Sequence, residues 1–164
     1  MTNIRTRVLC LGMLLCLLDT CCWRGALHAA CTVVAPAAAT DAIGQAATYR
    51  QAGQFAEGKT VLDAALAQQT EPEVQQQLHT ALADLHKAWG DSLKKRYVYE
   101  EAIAHYEAAI QLDREARPKE AAAGLTALGQ AYFDIGQYDQ AIDVCTQALA
   151  LQREHGDRVQ EASV

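Results

Sequence analysis

Residues 128–132 read Leu-Gly-Gln-Ala-Tyr, and residues 136–141 read Gly-Gln-Tyr-Asp-Gln-Ala. In the first segment a large apolar residue precedes glycine and an aromatic residue follows three positions later, which predicts a helix with a notch in one face. Gly136 permits a sharp turn. The second segment then begins another helix, with Ala141 at the point where the two helices cross. The stretch therefore predicts two closely packed antiparallel helices.

The same pattern occurs twice upstream. Trp89-Gly90 repeats the pair of a large and a small residue, and Ala102 and Tyr106 repeat the contact positions of the second helix. A weaker first copy contains Tyr49 and Gly53-Gln54-Phe55. The three copies resemble the tetratricopeptide repeat, a helix-turn-helix unit of about 34 residues. The resemblance implies an all-α fold, a right-handed superhelical solenoid of antiparallel helix pairs.

Packing within each pair depends on residue size. Glycine and alanine at the crossing points let the helices approach closely, whereas bulkier residues would overpack them. Tyr97 occupies the turn position that Gly53 and Gly136 hold in the other copies, so we expect the second turn to be built differently. The residues expected to pack the repeats are Tyr49, Trp89, Gly90, Ala102, Tyr106, Leu128, Gly129, Tyr132, Tyr138 and Ala141.

The copies also define the domain. They place repeats at approximately 39–72, 83–116 and 122–155, inside one domain of residues 36–158. Gly58, Ala102 and Ala141 are equivalent and lie 44 and 39 residues apart, so the spacing exceeds that of the plain repeat. Residues 159–164 are either a C-terminal tail or the truncated start of a fourth repeat.

Residues 1–35 have a different composition. Arg5 and Arg7 precede an apolar run over residues 8–18, which predicts a signal peptide and export to the periplasm or cell envelope. The alternatives are an uncleaved N-terminal anchor, or a mispredicted start before a cytoplasmic domain. Residues 27–31 resemble a bacterial lipobox, which would lipidate Cys31. Residues 33–40 predict a linker, and Thr40-Asp41 a helix start.

Charge and residue chemistry exclude several classes of function. The net charge of −6 and the lack of a basic stripe with interleaved aromatics argue against nucleic-acid binding. No motif predicts a catalytic site, a metal site or a cofactor, and His79 and His86 lie two helical turns apart, too far to share a metal. Cys145 is expected to be a buried small hydrophobe. We therefore expect a protein that is not an enzyme.

The resemblance also implies a groove that binds a partner. In this family the inner face of the first helix of each pair lines the groove, while the alternative for this chain is that the same residues only face solvent. The resemblance thus implies a scaffold that binds a peptide segment of a partner protein. The alternative is a self-associating or regulatory fragment of a larger multi-repeat protein, completed through its C-terminal repeat; contact with a membrane is expected only through the N-terminal segment. The groove residues would be Ile43, Ala47, Arg50, Lys87, Asp91, Lys94, Thr126, Gln130 and Phe133.

Overall fold

A computed structural model describes residues 23–161, with the side chains of residues 38–155. Six helices lie in this part of the chain, and residues 23–161 contain no strand. The prediction of an all-α repeat fold is confirmed. The helices are α1 (Trp23–Ala52), α2 (Phe55–Gln68), α3 (Pro72–Lys95), α4 (Tyr99–Asp113), α5 (Pro118–Asp134) and α6 (Tyr138–Glu161).

The chain divides into two units after Ala37, and the second unit holds the C-terminal part of α1 and helices α2 to α6, arranged as the pairs α1–α2, α3–α4 and α5–α6. Pro72 and Pro118 stand at the starts of α3 and α5, where a missing N–H does least harm. Lys94 and Lys95 end α3, where cations suit the helix dipole. Local sequence signals thus account for where α3 and α5 begin and where α3 ends.

The start of α1 differs from the prediction. The helix runs back to Trp23, so residues 33–40 are helical and Thr40-Asp41 lies inside the helix, not at its start. Alanine is the best helix former and provides four of the eight residues in this segment, which favours a continuous helix. Most of the predicted signal peptide, residues 1–22, lies outside the described residues. Cleavage and lipidation at Cys31 stay predictions.

All three turns inside the pairs share one geometry. Gly53 and Gly136 have φ of 75° and 80°, and Tyr97 has φ of 63°. In each turn the backbone N–H of this residue donates to a carbonyl three residues earlier, at 3.2, 3.0 and 3.0 Å respectively. The expectation that the second turn is built differently was wrong, because these hydrogen bonds hold the tyrosine in the left-handed region that glycine favours.

Two apolar clusters form the core. The first joins α1, α2 and α3 through Ala46, Leu62 and Leu85, and the second joins α3 to α6 through residues that include Leu93 and Tyr106. Helix α3 therefore belongs to both clusters. Its neighbours on either side are tied to it by burial of apolar surface.

Arg117 fixes the start of α5 against the preceding pair. Its guanidinium donates to Asp84 of α3 at 2.8 Å and to Asp113 of α4 at 2.6 Å. Asp113 is buried, so the ion pair also satisfies a carboxylate that burial would otherwise penalise. This contact places α5 beside α3, the arrangement that a groove along the first helices needs.

Glycine lies at the helix crossings as predicted, but the side chains opposite differ between pairs. A Cβ at Gly90 would lie 2.9 Å from the buried ring of Tyr106, and one at Gly129 would lie 2.7 Å from Sγ of Cys145. Cys145 is exposed, so the expectation of a buried cysteine was wrong. Its side chain faces Gly129 on one side only, since no helix among the described residues covers the other side of α6.

Candidate partner-binding groove

The predicted groove residues lie on the first helix of each pair. Ile43, Ala47 and Arg50 are on α1; Lys87, Asp91 and Lys94 are on α3; the remaining three, Thr126, Gln130 and Phe133, are on α5. They occupy three distinct environments.

At the N-terminal end the groove is a shallow hollow between α1 and α3. Ile43, Ala47 and Arg50 line it together with Asp84 and Leu85, around a volume of about 90 Å³. This volume is far below the several hundred cubic ångströms usual for a ligand site. The hollow accommodates at most a small side chain.

The middle of the groove carries alternating charge. Lys87 lies 4.0 Å from Glu120, and Lys94 Nζ donates to the Oε1 of Gln130 at 3.5 Å. Both contacts are long and partly exposed, so the two ammonium groups stay accessible to a partner. This stretch favours a carboxylate.

Asp91 differs from the two lysines because it bonds to a side chain of the core. Its Oδ1 accepts a hydrogen bond of 2.7 Å from the phenol of Tyr106, whose ring is buried in the core. Burial raises the pKa of Tyr106, and the bond to Asp91 raises it further, so this phenol keeps its proton. Asp91 is therefore both a groove residue and the partner of a core side chain.

A larger apolar cleft occupies the C-terminal end of the groove; we call it the C-terminal cleft. Its volume is about 460 Å³. Three predicted groove residues form one wall, and residues of α6 form the other. The lining residues are Thr126, Gly129, Gln130, Phe133, Tyr138, Ala141, Ile142 and Cys145.

The aromatic residues at the mouth of the cleft are open to solvent. Phe133 is 61% exposed and Tyr138 is 58% exposed, and their rings meet edge to face at 5.4 Å. Tyr138 was expected to pack inside a repeat, and that expectation was wrong, because nothing described lies beyond α6 to cover it. The other expected packing residues are buried or half-buried.

The sequence indicated the last helix as a pairing surface, but most residues of its exposed apolar row are not those that the sequence suggested; we call this row the α6 stripe. Tyr138, Ile142, Cys145 and Leu149 all lie on one side of the helix, and all are exposed. Their spacing of four, three and four residues is that of a helix seam. This spacing was readable from the sequence, but exposure depends on whether another helix packs on α6, which the pattern alone does not give.

A histidine pair lies at the junction of α2, α3 and α4. Nδ1 of His86 and Nδ1 of His105 are 3.0 Å apart, and the ring of His105 stacks on Trp89 with centroids 4.1 Å apart. Burial lowers the pKa of His86 to about 4, with His105 and Lys59 adding to the effect, and burial also lowers the pKa of His105. Sequence spacing could not reveal this pair, because its members lie on different helices.

The described residues contain neither a metal site nor a membrane span. Nowhere in residues 38–155 do three His, Cys, Asp or Glu side chains group as metal ligands would. In the same part of the chain, no helix combines the length and apolarity needed to cross a bilayer. What the geometry does provide is an apolar cleft, with Lys94 of α3 in contact with its lining residue Gln130.

These helix pairs and their groove define a helical-repeat protein of the interaction class. Residues 80–154, which span most of the second and third pairs, match the family model of the tetratricopeptide repeat. The second and third helix pairs are thus tetratricopeptide repeats, as the sequence motifs predicted. No curated protein matches the chain.

A crystal structure of BtubC (BKLC) from P. vanneervenii is similar to this chain at 19% sequence identity, with a TM-score of 0.45. The similarity covers 80% of this chain and 51% of that one, so the chain spans about half the length of that protein.

Proposed function

We propose that this protein is an interaction scaffold that binds a segment of a partner protein along the groove on α1, α3 and α5. The proposal rests on one observation above all: Thr126, Gln130 and Phe133 line one apolar cleft of about 460 Å³. Tetratricopeptide repeats are in general protein-interaction modules without catalytic activity. Our proposal adds the kind of segment that is bound and its position in the groove.

The chemistry of the groove selects the segment. The C-terminal cleft is large enough for one or two apolar side chains, and burial of a single large one contributes about 1.5–3 kcal/mol. Lys87 and Lys94 lie on the neighbouring helix and favour an acidic residue toward the middle of the groove. The segment we expect carries an apolar anchor flanked by aspartate or glutamate.

Affinity capture with matched charge variants tests this function. Bait chains are wild type, Lys87→Glu with Lys94→Glu, and a control, Arg114→Glu with Lys119→Glu, which makes the same charge change at exposed positions outside the groove. Circular dichroism checks that all three chains have equal helicity. A protein retained by wild type and control but lost by the groove variant supports the proposal. Equal retention by all three chains overturns it.

Self-association through the C-terminal repeat is a second candidate function, and the α6 stripe favours it. Exposed apolar rows of this kind usually mark an interface.

We also propose export to the cell envelope, because Arg5 and Arg7 precede a short apolar run. Mass spectrometry of the N-terminus of the mature protein tests export: an intact Met1 with no lipid would overturn both cleavage and lipidation.

A further inference from the structure

The α6 stripe has a counterpart one repeat earlier. By the 39-residue offset between the pairs, Ile142, Cys145 and Leu149 correspond to Ile103, Tyr106 and Ile110 of α4. In α4 these positions are covered: Tyr106 is 0% exposed and Ile110 is 6% exposed, against 64% for Ile142 and 52% for Leu149. The positions of the α6 stripe are therefore covered one repeat earlier and uncovered in α6.

Helix α5 is what covers α4. A Cβ added at Gly124 of α5 would lie 2.9 Å from Cγ1 of Ile110, and Leu125 and Leu128 share a buried cluster with Ile110 and Tyr106. The occupant of the α6 stripe must therefore be a helix with an apolar or small-residue face. A polar helix face would bury unpaired groups there.

Head-to-tail stacking of copies does not provide such a face. In that arrangement α1 of a second copy would cover α6, with Asp41 and Gln45 at the positions that Gly124 and Leu128 occupy on α5. Both residues are exposed in α1, as expected for a solvated face. Placing them against Ile142 and Leu149 would bury a carboxylate without a partner, at a cost of several kcal/mol.

We propose that the occupant is a second copy of this chain, packed α6 against α6 in antiparallel orientation about a two-fold axis. This deepens the second candidate function, self-association, and rests on it. The stripe carries no charge, so it complements itself, as an isologous interface requires. Centred on the stripe, the axis sets Tyr138 opposite Leu149 of the other copy and Ile142 opposite its Cys145.

The charges flanking the stripe favour the same orientation. Asp139 lies in the first turn of α6 and Arg153 lies near its end, on the same flank of the stripe by helical spacing. An antiparallel pair brings the same flank of both copies together and sets each Arg153 toward Asp139 of the other copy, whereas in a parallel pair these flanks lie on opposite sides of the interface. The opposed helix dipoles add to this preference.

Pairing also closes the C-terminal cleft. Tyr138, Ile142 and Cys145 belong both to the stripe and to the cleft wall. A copy seated on the stripe therefore occupies the site proposed above for a partner's apolar anchor. Self-pairing and partner binding through this cleft exclude one another.

Sedimentation equilibrium of the full chain over a concentration series tests the pairing. The stripe variant is Ile142→Glu with Leu149→Glu; the matched control is Gln140→Glu with Gln147→Glu, which adds the same charge to exposed positions on the opposite side of α6. We expect wild type and control to dimerise alike, and the stripe variant to dimerise about 30-fold more weakly or not at all. Should the glutamates reduce helicity, Ile142→Ser with Leu149→Ser replaces them.

Cross-linking tests the orientation. In a chain without native cysteines, a copy with Tyr138→Cys is mixed with a copy with Leu149→Cys and treated with a short bismaleimide. Dominant 138-to-149 products support the antiparallel pair, and dominant 138-to-138 or 149-to-149 products overturn it. Serine replaces Cys10, Cys16, Cys21, Cys22 and Cys31, and alanine replaces Cys145, which keeps the stripe apolar.

The outcomes separate this proposal from the function on which it rests. A wild-type chain that stays monomeric overturns self-association altogether. A dimer that persists unchanged in the stripe variant overturns pairing through α6. It leaves self-association in place and shows that the copies associate through another part of the chain. If the stripe binds only a partner segment, the wild-type chain is a monomer and its capture of the partner depends on Ile142 and Leu149. This result overturns the pairing as well.

Discussion

At the residue scale, Tyr97 holds a conformation that its side chain disfavours. Its φ of 63° matches the glycines of the other two turns, and its ring is 79% exposed, with only an edge contact to Tyr99. Left-handed backbone costs a residue with a Cβ about 1–2 kcal/mol. The cost is met by the hydrogen bonds that close the α3–α4 turn.

Replacing this tyrosine therefore stabilises the protein. We expect Tyr97→Gly to raise the free energy of unfolding by about 0.5–1 kcal/mol, since glycine removes the strain but loses more chain entropy. Urea unfolding followed by circular dichroism measures the change. Gly136→Ala is the converse and should lower stability by a similar amount; a loss of stability in Tyr97→Gly would refute this account of the turn.

The histidine pair makes stability depend on pH. His86 has a pKa of about 4 in the folded protein against 6.5 in the unfolded chain, so the unfolded state binds more protons between these values. Its contribution is complete above pH 6.5 and is lost as the pH falls toward 4. The charged groups facing the pair are Lys59 and Asp63 of α2 and Glu101 of α4.

We expect a His86→Gln variant to lose less stability than wild type between pH 6.5 and 4, because glutamine does not titrate. Urea midpoints at a series of pH values provide the comparison, and carboxylates that titrate in the same range affect both proteins alike. Parallel pH profiles for the two proteins would exclude the histidine pair as the cause.

At the scale of the helix pair, the two later crossings differ in what lies opposite glycine. Gly90 faces the rigid, buried ring of Tyr106, whereas Gly129 faces the small and exposed Cys145. A rigid ring inside a packed core has nowhere to move, while an exposed thiol can rotate away. The α3–α4 crossing is therefore less tolerant of a methyl group than the α5–α6 crossing.

Alanine substitutions measure this difference. We expect Gly90→Ala to cost about 2–3 kcal/mol by overpacking, and Gly129→Ala to cost under about 1 kcal/mol. Adding Cys145→Ala to Gly129→Ala should remove most of the remaining loss, because it removes the contacting sulfur. Equal costs at Gly90 and Gly129 would show that the residue opposite does not govern the crossing.

Local motifs explain why the pairs themselves were predictable. The small residues at the crossings and the glycines in the turns act within one hairpin, so the sequence around Gly129 or Gly53 contains the whole signal. Features that depend on a neighbouring element were missed. Cys145 and Tyr138 are exposed because no described helix covers α6, and His86 meets His105 only through packing of α3 on α4.

The sequence predicted which helix positions line the groove, but it did not predict the shape of the groove. Spacing along α5 groups Thr126, Gln130 and Phe133 on one side of the helix, where they line the C-terminal cleft, since that grouping depends only on helical period. The second wall of the cleft comes from α6, and its depth reflects the small residues Gly129 and Ala141. The bond between Asp91 and Tyr106 needed the packed pair to be seen.

At the scale of the whole molecule, the α3–α4 pair is central. Leu78, Leu82 and Leu85 of α3 share a cluster with α1 and α2, while Leu93, Tyr106 and Ile110 share the other with α5 and α6. In repeat proteins stability is the sum of each unit and its neighbouring interfaces. The middle pair has two such interfaces within the domain, and the last pair has one.

Hydrogen exchange should obey this order. We expect backbone amides of α3 and α4 to exchange most slowly and those of α6 most quickly among the helices from Phe55 onward, because local opening is easiest at the uncovered end. Mass-spectrometric exchange on peptides of each helix measures the order, at a protein concentration low enough to exclude association. Protection that is uniform from α2 to α6 would mean that the domain opens only as one unit.

The hydrogen bond between Asp91 and Tyr106 connects the predicted groove to the core of the α3–α4 pair. One end of this bond belongs to the predicted groove and the other to the best-buried aromatic ring of the second cluster. A cationic group on a partner that engages Asp91 competes with the phenol for the same carboxylate. Under the proposed function, a cationic group bound at Asp91 would therefore act on the core directly and weaken the contact that holds α4 to α3.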